Sequence, residues 1–182
     1  MAGRPDALGA DCPGVGRPNP PESVFDSKPN SSTSYYTAPN QRSGMTGGTY
    51  TLLIGLDRPA DITIGALGEH RFPAGAYAYT GSALGSSGFG RVDRHYELAA
   101  GERGTRHWHV DYLLGHDDAS MQGDVRTPDA DVECALAAAL PEAPVAGFGA
   151  SDCDCRSHLA YDADGDRLRA AVSRAHRDAG RE

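Results

Sequence analysis

Between Thr49 and Gly81 the chain advances in short β-forming runs cut by glycine and proline, and no other feature constrains the fold as much. Residues 50–56, Tyr-Thr-Leu-Leu-Ile-Gly-Leu, form a mostly apolar run closed by Arg58-Pro59, as expected of a strand covered on both faces. Residues 61–67 alternate apolar and polar. Gly68-Glu69 turns into His70-Arg71-Phe72, Pro73-Ala74-Gly75 interrupts, and residues 76–81 make the next strand. After the small residues of 81–90 the period changes. Residues 91–100 put Val92, Tyr96 and Ala99 on one helical stripe, with Arg91 and His95 one turn apart on another face. Residues 108–114 suggest a second short helix and 119–125 a strand. Asp131 is placed to cap a helix ending at Pro141, with Val132, Leu136 and Leu140 inward. A strand over 157–161 and a polar helix over about 166–179 close the chain. Strands first, then helices with strands between them, predict an α+β fold.

A chain of 182 residues suits one domain of ordinary size. Residues 1–44 stand apart: they hold 7 of the 12 prolines and balance 4 basic against 4 acidic residues. Such a segment cannot bury enough apolar area to offset its ordering entropy, so a disordered tail is expected. Met45, just ahead of the first strand, is an alternative start. The folded domain then runs from 45 to 163, with 164–182 a polar helical end. The whole formal charge of −8 lies in 45–182. Lys28 is the sole lysine, and 18 Asp outnumber 7 Glu. An Asp-rich, Lys-poor surface suits solubility in concentrated salt, where screening shortens charge repulsion. GC-rich coding also favours Arg over Lys but explains the Asp excess less well. No apolar run is long enough to span a bilayer, and no basic-then-apolar opening marks a secretory leader. Four cysteines do not make a disulfide scaffold, which points to a reduced, cytoplasmic setting.

Two short motifs carry chemistry. Gly48-Thr49-Tyr50 opens the first strand and Tyr79-Thr80-Gly81 ends a later one. An arginine, Arg91, follows on the next helix and a glutamate, Glu133, on a later one. Together with a YTGSALG loop, an RVDRH helix, HWHVDYLL, ECALA and SDCDCRSHL, this order resembles the GIY-YIG nucleases, and most closely their small Uri-type members. The resemblance covers about 48–161 and omits both ends. It implies a small central antiparallel sheet flanked by helices, and metal-dependent cleavage of a nucleic-acid phosphodiester, with DNA as the expected substrate and a DNA-repair protein as a possible associate. By the same resemblance Glu133 holds one Mg²⁺ or Mn²⁺, which keeps most of its waters. Arg91 offers a fork of donors to phosphate oxygens. Tyr50 helps activate water as base or relay, Tyr79 orients water or phosphate, and Gly81 lets the backbone approach the site. His95, one turn from Arg91, is a second proton carrier or phosphate contact. Gly81, Ser82, Arg94 and Arg106 are the expected nucleic-acid contacts within a local arginine cluster. Taken singly, each residue has a plainer reading: strand tyrosines usually pack, and a first-turn glutamate favours the helix dipole. The middle residue of each motif is Thr rather than Ile, which a strand accommodates. Residues 61–72 widen the spacing between the motifs, leaving open whether Tyr50 and Tyr79 stand on adjacent strands.

A second group is thiol-rich. Cys153, Cys155 and His158, with His107 and His109, offer N and S ligands at short spacing, a set zinc accepts. The alternative is a tight polar turn packed on the sheet. Cys134, on an alanine-rich helix, is expected in the core. Asp162, Asp164 and Asp166 faintly resemble a calcium loop but lack its glycine and terminal glutamate, so a solvated turn is expected. Two further readings remain open beside the nuclease: a nucleic-acid-binding module that does not cut, and a zinc-stabilised interaction domain.

Overall fold

The computed structural model describes residues 47–181; the expected tail and the alternative start at Met45 lie outside them. The fold is α+β. In chain order it comprises β1 (Gly48–Leu56), β2 (Ala60–Thr63), a 3-10 turn (Gly65–Leu67), β3 (Glu69–Phe72), β4 (Gly75–Ser82), α1 (Gly90–Ala99), α2 (His109–Leu114), β5 (Ala119–Pro128), α3 (Glu133–Ala139), β6 (Leu159–Asp162) and α4 (Gly165–Ala179). Four strands form one antiparallel sheet in the order β5-β1-β4-β6, while β2 and β3 pair with each other as a separate two-stranded sheet.

The apolar run of β1 lies at the centre of the larger sheet because all nine of its residues are buried. Successive side chains point to opposite faces. Tyr50, Leu52, Ile54 and Leu56 join Tyr77 and Tyr79 of β4 in one core, closed by Val92 and Leu98 of α1, by Val110, Leu113 and Leu114 of α2, and by Phe148. Leu53, with Ala76 and Ala78, packs on the other face against Leu168 and Val172 of α4. The segment between the motifs folds out as β2 and β3 and sends Ile62, Ile64 and Phe72 into the first core. This lets β1 and β4 pair directly: Tyr50 stands opposite Gly81 and Leu52 opposite Tyr79. The open question of strand adjacency is thereby answered.

Several expectations need correction. The buried positions of α1 are Val92, His95 and Leu98 rather than Val92, Tyr96 and Ala99, so His95 faces the core instead of sharing a separate face with Arg91. The N-cap of α3 is Val132, not Asp131. Val132 is only half-buried, and its N–H donates to Thr49 Oγ1 (3.1 Å), which itself donates to the Ala130 carbonyl (2.8 Å). Thr49 of β1 thus satisfies the N-cap residue's own N–H, and no side chain caps the following amides of α3. Cys134 points outward instead of into the core. The acidic turn before α4 is a cap. Asp164 Oδ1 accepts from the N–H groups of Asp166 and Arg167, and Asp162 pairs with Arg167 at 2.6 Å.

On the α4 side a buried polar chain crosses the sheet. His176 meets Thr127 Oγ1 of β5 through Nδ1 (2.7 Å) and Thr51 Oγ1 of β1 through Nε2 (2.8 Å), and Thr51 in turn meets Thr80 Oγ1 of β4 (3.0 Å). Each threonine hydroxyl can donate or accept, so the contacts suit either charge state, and it is burial that favours the neutral imidazole. Burial lowers the His176 pKa to about 4. In the unfolded chain the group titrates near about 6.5. As pH falls from 6.5 to 4 the unfolded chain takes up a proton that the folded chain does not, so stability drops through this window. The advantage of the wild type over His176→Gln, measured by urea unfolding at pH 7.5 and pH 4.5, should shrink on the order of 3 kcal/mol; parallel losses in both proteins would contradict this assignment.

Candidate functional site

A cleft of about 270 Å³ opens where the end of β4 meets the first turns of α1, α2 and α3 and the turn at 149–152. Its walls include Tyr79, Ser82, Arg91, His107, Trp108 and Glu133. The sequence-predicted Tyr79, Ser82, Arg91 and Glu133 therefore share one cavity, although 54 positions separate Tyr79 from Glu133 in the chain. Tyr50 and His95 lie under it, 1% and 0% exposed. Gly81 serves this arrangement by its missing side chain: a Cβ there would stand 2.6 Å from the Tyr50 ring and hydroxyl. The glycine thereby leaves the room that the Tyr50 ring occupies.

The wall and floor are organised by charge. The Tyr50 hydroxyl and His95 Nε2 are 3.0 Å apart. His95 Nδ1 lies 3.3 Å from Asp111 Oδ1, at ion-pair distance but out of line for a hydrogen bond. Asp111 is fully buried. It accepts from both terminal nitrogens of Arg94 (3.0 and 2.7 Å) and from the backbone N–H groups of His107 (2.7 Å) and Trp108 (3.1 Å). Burial alone would raise its pKa, but the contacts from His95, Arg94 and the two amides outweigh it and hold the carboxyl well below its usual range. Burial lowers the His95 pKa against the pull of Asp111 and favours the neutral ring. Burial likewise pushes Tyr50 and Tyr79 up. The charges of Tyr79, Glu133 and Asp111 add to the effect on Tyr50, and Arg91 opposes it.

Arg91 and Arg94 both lie over the Trp108 ring, at 4.8 and 4.3 Å from its centroid. They differ in what remains to bind. Arg94 is committed to Asp111 and to the Thr105 carbonyl (2.9 Å), so it supports the floor instead of presenting donors to the cleft. Arg91 makes no hydrogen bond or ion pair with any described residue. Arg106 does not line the cleft; it is exposed, lies over Tyr112 and donates to the Gly115 carbonyl.

The thiol-rich group sits at the foot of α3. Cys134, Cys153, Cys155 and His158 bring four ligand atoms within 4.8 Å of one another, a cluster that can hold a metal such as zinc. His107 and His109, grouped with it by sequence, are elsewhere. Both line the cleft, and His109 Nδ1 accepts from the Gly149 N–H (2.9 Å). The fourth ligand is Cys134, beside Glu133. His158 Nδ1 lies 3.0 Å from Glu133 Oε1, and the carboxylate beside it raises the His158 pKa to about 9. Contact with Cys155 raises Cys134 to about 12. Sequence reasoning missed Asp111, Cys134 and Gly149. Asp111 had a usable signal, an acidic residue three positions into a short helix, where it can cap the backbone. Gly149 had none: its φ of +73° and the nearness of a Cβ to Tyr79 (2.7 Å) follow from packing.

Fold and cleft together define an α+β domain in which a guanidinium, a carboxylate and a strand tyrosine meet, next to a separate sulfur-rich cluster. The chain belongs to the family described as Domain of unknown function DUF123, whose sequence model matches residues 49–181. No curated protein and no solved structure gives a significant match. Among the described residues no helix is long and apolar enough to cross a membrane.

Removing a buried carboxylate leaves its charged partner stranded. Asp111→Ala should therefore lower the unfolding free energy by about 3 kcal/mol or more, read by urea denaturation. A loss below about 0.5 kcal/mol, typical of a surface pair, would show that Asp111 is not the anchor of α1 and α2.

Proposed function

We propose that this protein is an endonuclease that hydrolyses phosphodiester bonds in DNA, working in the manner of the Uri-type GIY-YIG nucleases it resembles. The observation that carries the reading is the convergence of Tyr79, Arg91 and Glu133 on one cleft, with Tyr50 beneath it on the adjoining strand. Arg91, stacked on Trp108 and free of a carboxylate partner among the described residues, presents its fork to two phosphate oxygens. Tyr79 lies at the cleft wall, where its hydroxyl orients the attacking water.

Tyr50 suits a relay better than a direct base, because burial raises its pKa. It donates its proton to the neutral His95 at Nε2 as it takes one from the water side, and Asp111 stabilises the imidazolium so formed. The cleft also fits the divalent ion that this chemistry calls for. Glu133 and Asp152 supply hard oxygen donors at its wall, and its open side leaves room for retained waters. Mg²⁺ or Mn²⁺ held by Glu133 would supply neutralisation of the phosphate and leaving-group charge. The acidic surface does not oppose this. At molar salt, long-range phosphate attraction is weak whatever its sign, and local contacts such as Arg91 decide binding.

A second reading, a module that binds nucleic acid without cutting it, draws on the near-complete burial of Tyr50, 1% exposed. Nicking of plasmid and branched DNA in high salt with Mg²⁺ or Mn²⁺ separates the two. Wild type should cut, and Glu133→Ala and Arg91→Ala should each lose about 10²-fold or more. Cutting that survives both changes would remove this site, and binding by a wild type that never cuts would favour the module.

A further inference from the structure

We propose that Cys134, Cys153, Cys155 and His158 bind one zinc ion, and that this zinc fixes Glu133 in the cleft through the His158 ring. The two halves have different standing. Zinc binding is independent of what the cleft does, whereas its effect on cutting rests on the nuclease reading above.

The donor set comes from three places that the fold brings together. Cys134 stands in the first turn of α3, Cys153 and Cys155 in the turn before β6, and His158 at the entry to β6. The turn is itself held: Gly147 N–H donates to the Arg156 carbonyl (2.7 Å), His158 N–H to Phe148 (2.8 Å) and Thr80 N–H to His158 (2.9 Å). Cys153 Sγ lies 3.3 Å and Cys134 Sγ 3.9 Å from His158 Nε2. A tetrahedral zinc with Zn–S of about 2.3 Å and Zn–N of about 2.0 Å sets its S···N edges near about 3.5 Å. The observed separations bracket that edge, so little movement is needed to close the shell. All three thiols are free. Three thiolates and one imidazole form a common closed zinc set, and their softness disfavours Mg²⁺.

His158 is the link between the two regions. Its side chain is 2% exposed, and its Nδ1 is a buried polar atom with no aligned hydrogen bond, 3.0 Å from Glu133 Oε1. Ligation through Nε2 leaves the ring proton on Nδ1, where it can only donate. A small turn of the Glu133 side chain aligns the pair. Metal, imidazole and carboxylate then form the outer-sphere arrangement that orients a ligand and its partner in metal sites generally. Glu133 is unusual only in facing a cleft on its other side. His158 is thus a zinc ligand and, for the cleft, a positioning residue.

The experiment uses the full chain, expressed in zinc-replete medium. Elemental analysis should find about one zinc per chain, absent from Cys134→Ser and Cys153→Ser. Cys134 is exposed, so its replacement does not disturb the core even if the second variant fails to fold. Cobalt substitution should give the visible spectrum of a tetrahedral, thiolate-rich site. A wild type that holds no zinc and takes up no cobalt in that geometry overturns the site.

The link to Glu133 has its own readout. Cobalt-loaded protein should show one solvent-exchangeable, paramagnetically shifted imidazole N–H signal, lost in His158→Cys, which keeps the metal as a four-thiolate site, and displaced in Glu133→Ala. An undisplaced signal overturns the link. For DNA cutting, His158→Cys should retain zinc yet lose about 10–100-fold in kcat with KM little changed. Unchanged kcat would also overturn the link. A wild type that cuts no DNA defeats the nuclease reading, while the zinc count and the N–H signal still decide this one.

Discussion

The Asp111 carboxylate is the interaction on which the rest of this structure turns. It is a buried anion that gathers Arg94 and His95 from one turn of α1 and two backbone amides from the start of α2. A carboxylate buried without such partners would be protonated or would unfold its surroundings. With them it sets how the two helices lie against the sheet. Through His95 it also sets where the Tyr50 hydroxyl rests. The cleft floor is therefore built from one electrostatic centre, and the Trp108 ring above it carries both the guanidinium that completes that centre and the one that faces the cavity.

The fold was largely legible because its signals are local. The apolar run of β1 announces a central strand, and the alternation of 61–67 anticipates β2, although its second half curls into a 3-10 turn. Glycine and proline mark the breaks. The site was legible only where motif order stood in for geometry, as with Tyr79, Arg91 and Glu133. Other roles depend on partners distant in the chain. His95 was placed with Arg91 on a face apart from the apolar stripe of Val92, Tyr96 and Ala99, yet the buried stripe of α1 runs through Val92, His95 and Leu98. Cys134 looked like filler among alanines because its neighbours in space, Cys153 and Cys155, lie some twenty positions on. Asp131 does not cap α3, whose N-cap is Val132, tied through its own N–H to a threonine of β1 more than 80 residues earlier.

The division of labour between the two sheets has a similar origin. Residues 61–72, placed between the two tyrosine motifs, would have parted them had they joined the main sheet. Instead β2 and β3 satisfy each other's backbone groups and add Ile62, Ile64 and Phe72 to the core. The pairing of β1 with β4 is left intact, and with it the spacing of Tyr50, Gly81 and Tyr79.

Tyr50 and Thr51 are neighbours on β1, yet one reaches His95 above the sheet and the other His176 below it. A slip of the central strand by one residue would exchange them. The phenol would then be thrust at α4 and a short hydroxyl left under the cleft, stranding both imidazoles at once. Two histidines on opposite sides thus act as a lock and its counter-lock on a single peptide unit, so β1 has only one alignment in which both can close.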